Sequence, residues 1–473
     1  MKKISILLAA VSLILACKNK ENTKSALAFE VEENDKTQQL DSVYSAHYDR
    51  NEFNGNVLVA ENGKIIFHKS YGIANEETKE KLDINTSFEL ASVSKQFTAM
   101  GIVQLQKEGK LSYNDLISKY IPELTYYSDV TIKNLLIHTG GLPDYMGMMA
   151  EHWDKSKIAT NDDVIEIFAK LKPEKEFEPG KKYSYSNTGY LILGTIIESV
   201  SEKSFGKYLN EKIFTPLKME NTFVYRRRFQ PKKIDNYAEG YIYSDSLKKN
   251  ILPDDSPDED YVVYLDGIVG DGMVNSNTID LLKWDRALYG NELINAEDKK
   301  LIFSSYPTES GEETDYGFGW FVRNDSIYGK RVLHSGGWAG YITWIERHID
   351  ADKTIIQLMN IENKITTSPA KYARKILYNQ PIEQPFTLPE EVLKKYVGTY
   401  SSEEQDSEIT YEFGRLWDSG EYELKPISET KFIIIGFRPE VSFTFNLNDD
   451  GSVKSYRVQQ KENDIDNTYF RKK

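Results

Sequence analysis

The chain has 473 residues, 40% hydrophobic and 28% charged, which is enough apolar material for a large core and too much length for one small domain. Its 59 Lys and Arg against 73 Asp and Glu leave a formal charge of −14, a balance that repels phosphate and argues against a nucleic-acid partner. A single cysteine, Cys17, excludes internal disulfides, thiolate metal sites and Cys-x-x-Cys redox chemistry.

Lys2 and Lys3 precede an apolar run over residues 4–16, too short and too early to span a membrane, so residues 1–16 read as an export signal. The run ends in Ile14-Leu15-Ala16-Cys17, which resembles the lipobox of bacterial lipoproteins. That resemblance implies cleavage before Cys17, its acylation, and attachment to a membrane of the cell envelope, since several acyl chains anchor stably where one does not. Residues 17–37 are then expected to be a polar tether.

The body follows, expected over residues 38–380. Asn62-Gly63 between apolar runs 56–60 and 64–68 predicts a β-hairpin, because Asn-Gly accepts the positive φ of a tight turn. Val93, Phe97, Met100 and Val103 recur at helical spacing and predict a helix over 93–107, stopped by Gly109. Further helices are expected over 189–200 and 279–288, the latter capped by Thr278, and strands over 316–322, 340–347 and 354–359. A sheet assembled from both ends of the chain, with helices inserted between, is the simplest arrangement. Pro381, Pro385 and Pro389 mark a boundary, and the short β-rich runs and turns of residues 389–473 predict a small antiparallel barrel or sandwich.

Three short motifs carry chemistry. Ser92-Val93-Ser94-Lys95 places a serine at the start of an amphipathic helix, where the dipole and free N–H groups favour an oxyanion, and sets a lysine on the same helical face. Ser-x-x-Lys also begins at Ser204, Ser246, Ser368 and Ser428, so context, not the motif, singles out Ser92. In Tyr185-Ser186-Asn187 the outer residues share a face if the segment is extended. Tyrosine is a weak base near pH 7, and an ammonium within about 4–6 Å favours its ionised form. Third, His334-Ser335-Gly336-Gly337 puts adjacent glycines on an expected edge strand, a mark of close approach by backbone or ligand. His138 reads as structural.

In this order the three motifs resemble those of the serine β-lactamase and penicillin-binding protein superfamily, nearest its class C branch with the related esterases and D-amino-acid peptidases. The stretches 135–142, 189–200 and 271–275 strengthen the likeness, which covers about residues 40–377. It implies an α+β fold, an antiparallel sheet flanked by helices with a helical lobe, and an active site between them. It further implies that Ser92 is the nucleophile, Lys95 its proton partner and Tyr185 the general base. Asn187, His334, Ser335, Gly336 and Gly337 are implied to serve substrate and oxyanion, with backbone amides of Ser92 and Gly337 forming the oxyanion hole. No cofactor or metal is implied, and the partners expected are a small-molecule or peptide substrate and a membrane through the lipid anchor. The expected reaction is hydrolysis through an acyl-Ser92 intermediate, with an ester, amide, β-lactam or D-amino-acid peptide as acyl donor. A peptide-binding or sensing lipoprotein without turnover is the alternative. The third motif begins with His334 where the family usually has lysine, and a histidine is charged only below about pH 6.5. That departure points away from penicillins and towards substrates with no strict carboxylate requirement.

Overall fold

The computed structural model describes residues 29–382, 386–403, 405–434, 440–460 and 465–472; the signal and lipobox with Cys17, and Pro385, lie outside them. Six strands form the central sheet: β1 (Gly55–Glu61), β2 (Lys64–Tyr71), β3 (Phe321–Asp325), β4 (Gly329–Trp338), β5 (Tyr341–His348) and β6 (Lys353–Met359). Their order is β2-β1-β6-β5-β4-β3, antiparallel throughout. The two ends of the chain meet where β1 pairs β6, with Val57 opposite Gln357. Asn62 and Gly63 both take positive φ, as the hairpin requires.

Five helices matter to the site and the sheet: α1 (Asp35–Asp49), α2 (Lys95–Lys107), α3 (Asn187–Ser201), α4 (Thr278–Ala287) and α5 (Ala370–Leu377). On one face of the sheet, Leu40 and Tyr44 of α1 and Ala373 and Leu377 of α5 pack on Phe67, Tyr71 and Ile355. The other face carries Leu58 and Ile356 against Leu281 and Trp284 of α4, and this core runs on into the helical lobe around α2 and α3. Nearly every residue of α2 is buried, including polar Lys95, Gln96 and Thr98. Gly101 lets α3 approach it, since a Cβ there would meet Ile197 Cδ1 at 2.7 Å.

Several boundaries differ from those the sequence suggests, each for a local reason. Regular structure starts before the expected boundary at residue 38: Val31 bridges to Ile65, and Asn34 caps α1 from its side chain. α3 begins at Asn187 because Ser186 Oγ accepts from Gly189 N at 3.1 Å. The cap of α4 is Asn277, accepting from Asp280 N at 2.8 Å, rather than Thr278. β3 starts at Phe321 because the chain turns at Gly319 (φ +78°), where a Cβ would stand 2.8 Å from Lys95 O.

The last part of the chain is an eight-stranded closed barrel, from Gly398–Ser401 to Ile465–Arg471, with a core of its own built on Tyr396, Tyr400, Phe432, Phe443, Phe445 and Tyr456. It docks on the body through the hairpin around Phe413 and the following turn, where Gly420 O accepts from Lys364 at 3.3 Å. Phe413 meets Tyr243 edge to face at 4.7 Å, and Arg415 pairs with buried Glu52. Glu52 also binds His47 and accepts from Arg50 at 2.6 and 2.9 Å. Burial alone would raise its pKa, but hydrogen bonds from His47 and Arg50 and the charges of His47 and Arg415 outweigh that and hold it at about 2, against an ordinary 4.5. A depressed carboxyl stabilises the fold fully above its unfolded pKa and loses that contribution as pH falls through the folded one. The melting temperature is therefore expected to fall from about pH 5 towards pH 2, with a smaller fall in Glu52→Gln. Identical acid profiles for both proteins would contradict the assignment.

Candidate active site

Ser92 is the second residue of a 3-10 turn, Ala91–Ser94, that leads into α2. Its N–H therefore has no partner inside the turn. Ala91, just before it, is buried with φ +48°, a left-handed conformation that costs a residue with a Cβ about 1–2 kcal/mol. The strain is held from three sides: Leu90 N donates to Val274 O at 2.9 Å, Val274 N to Ser94 Oγ at 3.1 Å, and Thr343 Oγ1 to Leu90 O at 2.7 Å.

Lys95 is 0% exposed. Its Nζ donates to Ser92 Oγ at 3.0 Å and to the backbone carbonyl of Asp271 at 2.9 Å. The same nitrogen lies 5.1 Å from the ring centre of Tyr185 and 5.7 Å from that of Tyr190. Tyr185 is 37% exposed, while His138, Phe321, Tyr316 and His334 pack against its ring. His138 is the most intimate of these, at 4.4 Å between ring centres. Its Nδ1 accepts from Ser186 N at 3.0 Å, and burial, then the charge of Lys95, keep it neutral. His138 thus holds both the backbone at Ser186 and the Tyr185 ring.

The third motif divides. β3 pairs with β4 only as far as Phe321 opposite Leu333, so from His334 onward β4 is an open edge facing the nucleophile. Counting from the two-residue turn Ala339–Gly340, Trp338–Tyr341 is a hydrogen-bonded pair and Gly337–Ile342 is not, which turns the Gly337 N–H away from β5. Gly337 lines the cleft. Gly336 is buried, and a Cβ on it would stand 2.2 Å from Leu90 O and 2.3 Å from Thr343 Oγ1. Ser335 is exposed and is not among the residues that line the cavity.

His334 does not act as a stand-in cation. It is 1% exposed, hydrogen-bonded through Nδ1 to Ser335 O at 2.6 Å and through Nε2 to Tyr316 Oη at 2.9 Å. A carbonyl only accepts, so the network places the proton on Nδ1 and makes Nε2 the acceptor. Burial, then the charge of Lys95, push its pKa down to about 3 against the opposing hydrogen bond to Ser335 O. The ring is neutral at any pH where the enzyme would work, and it contributes shape rather than charge.

The cleft beside Ser92 has a volume of about 590 Å³, with Asn187, Met146, Tyr145 and Asp271 on one side and Gly337, Trp338 and Ala339 on the other. Asn187 Nδ2 lies 3.9 Å from Met146 Sδ. Asp271 is half-buried, its carboxyl raised by desolvation against the pull of Lys95, and it accepts from Tyr145 Oη at 3.0 Å. Asp271 and Tyr145 come from segments far from the three motifs, and only the stretch 271–275 hinted at one of them.

Residues 38–379 match the family model described as Beta-lactamase, and the chain belongs to that family. Penicillin-binding protein 4* of Bacillus subtilis (strain 168) is 41% identical over 440 residues, covering 88% of this chain and 97% of its own. The octameric penicillin-binding protein homologue from Pyrococcus abyssi superposes with a TM-score of 0.67 at 22% identity, over 92% of this chain and 100% of that one. D-amino acid amidase from Ochrobactrum anthropi SV3 superposes with a TM-score of 0.60 at 21% identity, over 73% and 98%. The last two share the fold. Family and site geometry together make the protein a serine acyl-transfer hydrolase.

Because β4 rests on the nucleophile turn through Gly336, Gly336→Ala is expected to displace Ser92 and lower kcat by about 100-fold. Gly337→Ala keeps its N–H and its Cβ would meet nothing within 4 Å, so it should cost much less. Steady-state kinetics on one activated ester compares them, and equal losses would refute the packing argument.

Proposed function

We propose that the protein hydrolyses esters, amides or D-amino-acid peptides through a covalent acyl-Ser92. The observation that supports this reading most is the 3.0 Å bond between Lys95 Nζ and Ser92 Oγ, made by a lysine that has no freedom to be elsewhere. Ser92 Oγ attacks the substrate carbonyl and gives its proton to Tyr185, whose ionised form the neighbouring Lys95 ammonium favours, as the new C–O bond forms. The oxyanion that develops faces the N–H groups of Ser92 and Gly337, preorganised and carrying no cost of reorientation at that moment. Collapse breaks the bond to the leaving group, which takes a proton from Tyr185. Water then attacks the acyl ester by the same route and frees Ser92. The neutral His334 supports esters and amides over penicillins, since the usual cation for a substrate carboxylate is missing at that position.

Ser92→Ala is expected to abolish hydrolysis of a small activated ester with little change in melting temperature. Lys95→Ala and Tyr185→Phe should each lose orders of magnitude, because groups that act as a unit fail together. Undiminished hydrolysis in Ser92→Ala would overturn the mechanism, and no hydrolysis by the wild type on any such ester would favour a binding or sensing protein instead.

We also propose that the protein is exported and held on the cell envelope by lipid on Cys17. Among the described residues no helix is long and apolar enough to cross a membrane. Metabolic labelling with a fatty-acid analogue should mark the wild type and leave Cys17→Ser unmarked; equal labelling would remove this proposal.

A further inference from the structure

Glu89 stands three residues ahead of Ser92, on a short strand paired with residues 274–276, and lines the same cleft. It is 8% exposed, and no hydrogen bond or ion pair to another described residue holds its carboxyl. A carboxyl so deeply set without a protein partner is uncommon, because it loses much of its hydration and gains no bond in return. The two arginines nearest in charge are already committed. Arg227 pairs with Glu239 and Asp254, while Arg228 binds Asp254 at 2.7 Å and Asp266 at 3.1 Å. Burial, and then the charge of Asp266, push Glu89 up to about 7 against the pull of Arg228 and Arg227.

The rest of the cleft has the same sign. Asp258, Glu259, Asp271 and Glu362 line it together with Glu89, and Lys364 is the single lysine or arginine among its described lining residues. Lys364 is turned to the barrel and its surroundings, pairing with Asp245 at 3.1 Å and Glu412 at 3.6 Å and donating to Gly420 O at 3.3 Å. Lys95 is bound to Ser92 and Asp271 O, and His334 is neutral. A substrate carboxylate entering here meets no free cation. An organic cation meets an unpaired carboxyl. A bound metal ion fits the arrangement less well, because among the described residues no three acidic or histidine groups converge closely enough to hold one.

We infer that the acyl donor this cleft selects carries an ammonium group, as an aminoacyl ester or amide does, and that Glu89 receives that ammonium. The inference rests on the acyl-Ser92 reading and specifies its substrate class. It places charge recognition in the same cleft as the nucleophile, in a chain whose third motif begins with a neutral histidine.

The test uses four 4-nitrophenyl esters with a common leaving group: the two alanyl enantiomers, isobutyryl as their neutral isostere, and succinyl as a carboxylate. Rates are corrected for spontaneous hydrolysis. The wild type is expected to prefer the better alanyl enantiomer to isobutyryl by at least tenfold in kcat/KM, with succinyl the poorest. Glu89→Gln should reduce the alanyl-to-isobutyryl ratio at least tenfold. No preference for alanyl, a preference for succinyl, or a ratio that survives Glu89→Gln would overturn the inference. Should Glu89→Gln fail to fold, the wild type alone decides: alaninamide is expected to inhibit isobutyryl ester turnover at a concentration at least tenfold below lactamide, and equal inhibition overturns the inference. Persistence of isobutyryl turnover in Ser92→Ala is a different failure, since it removes the acyl-serine reading itself.

Discussion

An ammonium with no exposed surface is the constraint on which this structure turns. Lys95 is buried completely, and a buried charge is tolerated only when its hydrogen bonds are met. Two of its donors go to Ser92 Oγ and Asp271 O, and aromatic faces stand close to the same nitrogen. To bring the Asp271 carbonyl there, the loop from residue 269 to 273 must double back under α3. Gly270 makes the bend at φ +107°, and a Cβ on it would lie 2.3 Å from Tyr190 O. Met273 follows at φ +69°, and Thr98 Oγ1 ties Gly270 O down at 2.5 Å. The groups that bury the lysine are therefore the groups that aim it, and packing and catalysis share one set of contacts.

The second half of the site is the open end of β4. A strand that loses its neighbour exposes backbone donors, usually a liability. Here the exposed edge faces the cleft, and Gly336 lets it lie directly on the Leu90–Ser92 turn. Glycine in a strand weakens it, and left-handed backbone at Ala91, His138 and Met273 adds strain in the same neighbourhood. Local stability is lowered where chemistry is done and recovered in the surrounding cores, where Phe97, Phe214 and Trp284 pack ring against ring. The barrel, closed on its own aromatic core, touches the body near the far wall of the cleft, where Phe413 meets Tyr243 and Tyr243 in turn lines the cavity.

What the sequence disclosed depended on how local the determinant was. The Ser92–Lys95 relation is a single helical spacing, the β1–β2 hairpin is an Asn-Gly turn, and the barrel is a run of alternating strands, so each was legible. The sheet closing from both chain ends followed from where the β-rich runs fell. His334 was legible as a position but not as a chemical state, because its neutrality comes from burial beside Lys95 and Tyr316, neither adjacent in sequence. Glu89 drew no reading from the sequence, because nothing local distinguishes a carboxyl with no partner from one with several. Asp271 and Tyr145 meet only through tertiary folding. Boundaries slipped where one side chain or one glycine decided them, as Ser186 does for α3 and Gly319 for β3. Cys17 and the lipid reading remain a matter of sequence.

The most direct measurement is the intact mass of the protein, rapidly quenched during turnover of a slowly deacylating activated ester, followed by peptide mapping. The expected result is a transient gain equal to the acyl group, located on the peptide that contains Ser92 and absent from Ser92→Ala. Turnover with no adduct at any time point under slow deacylation, or an adduct on another residue, would contradict the role given to the Lys95-bound serine.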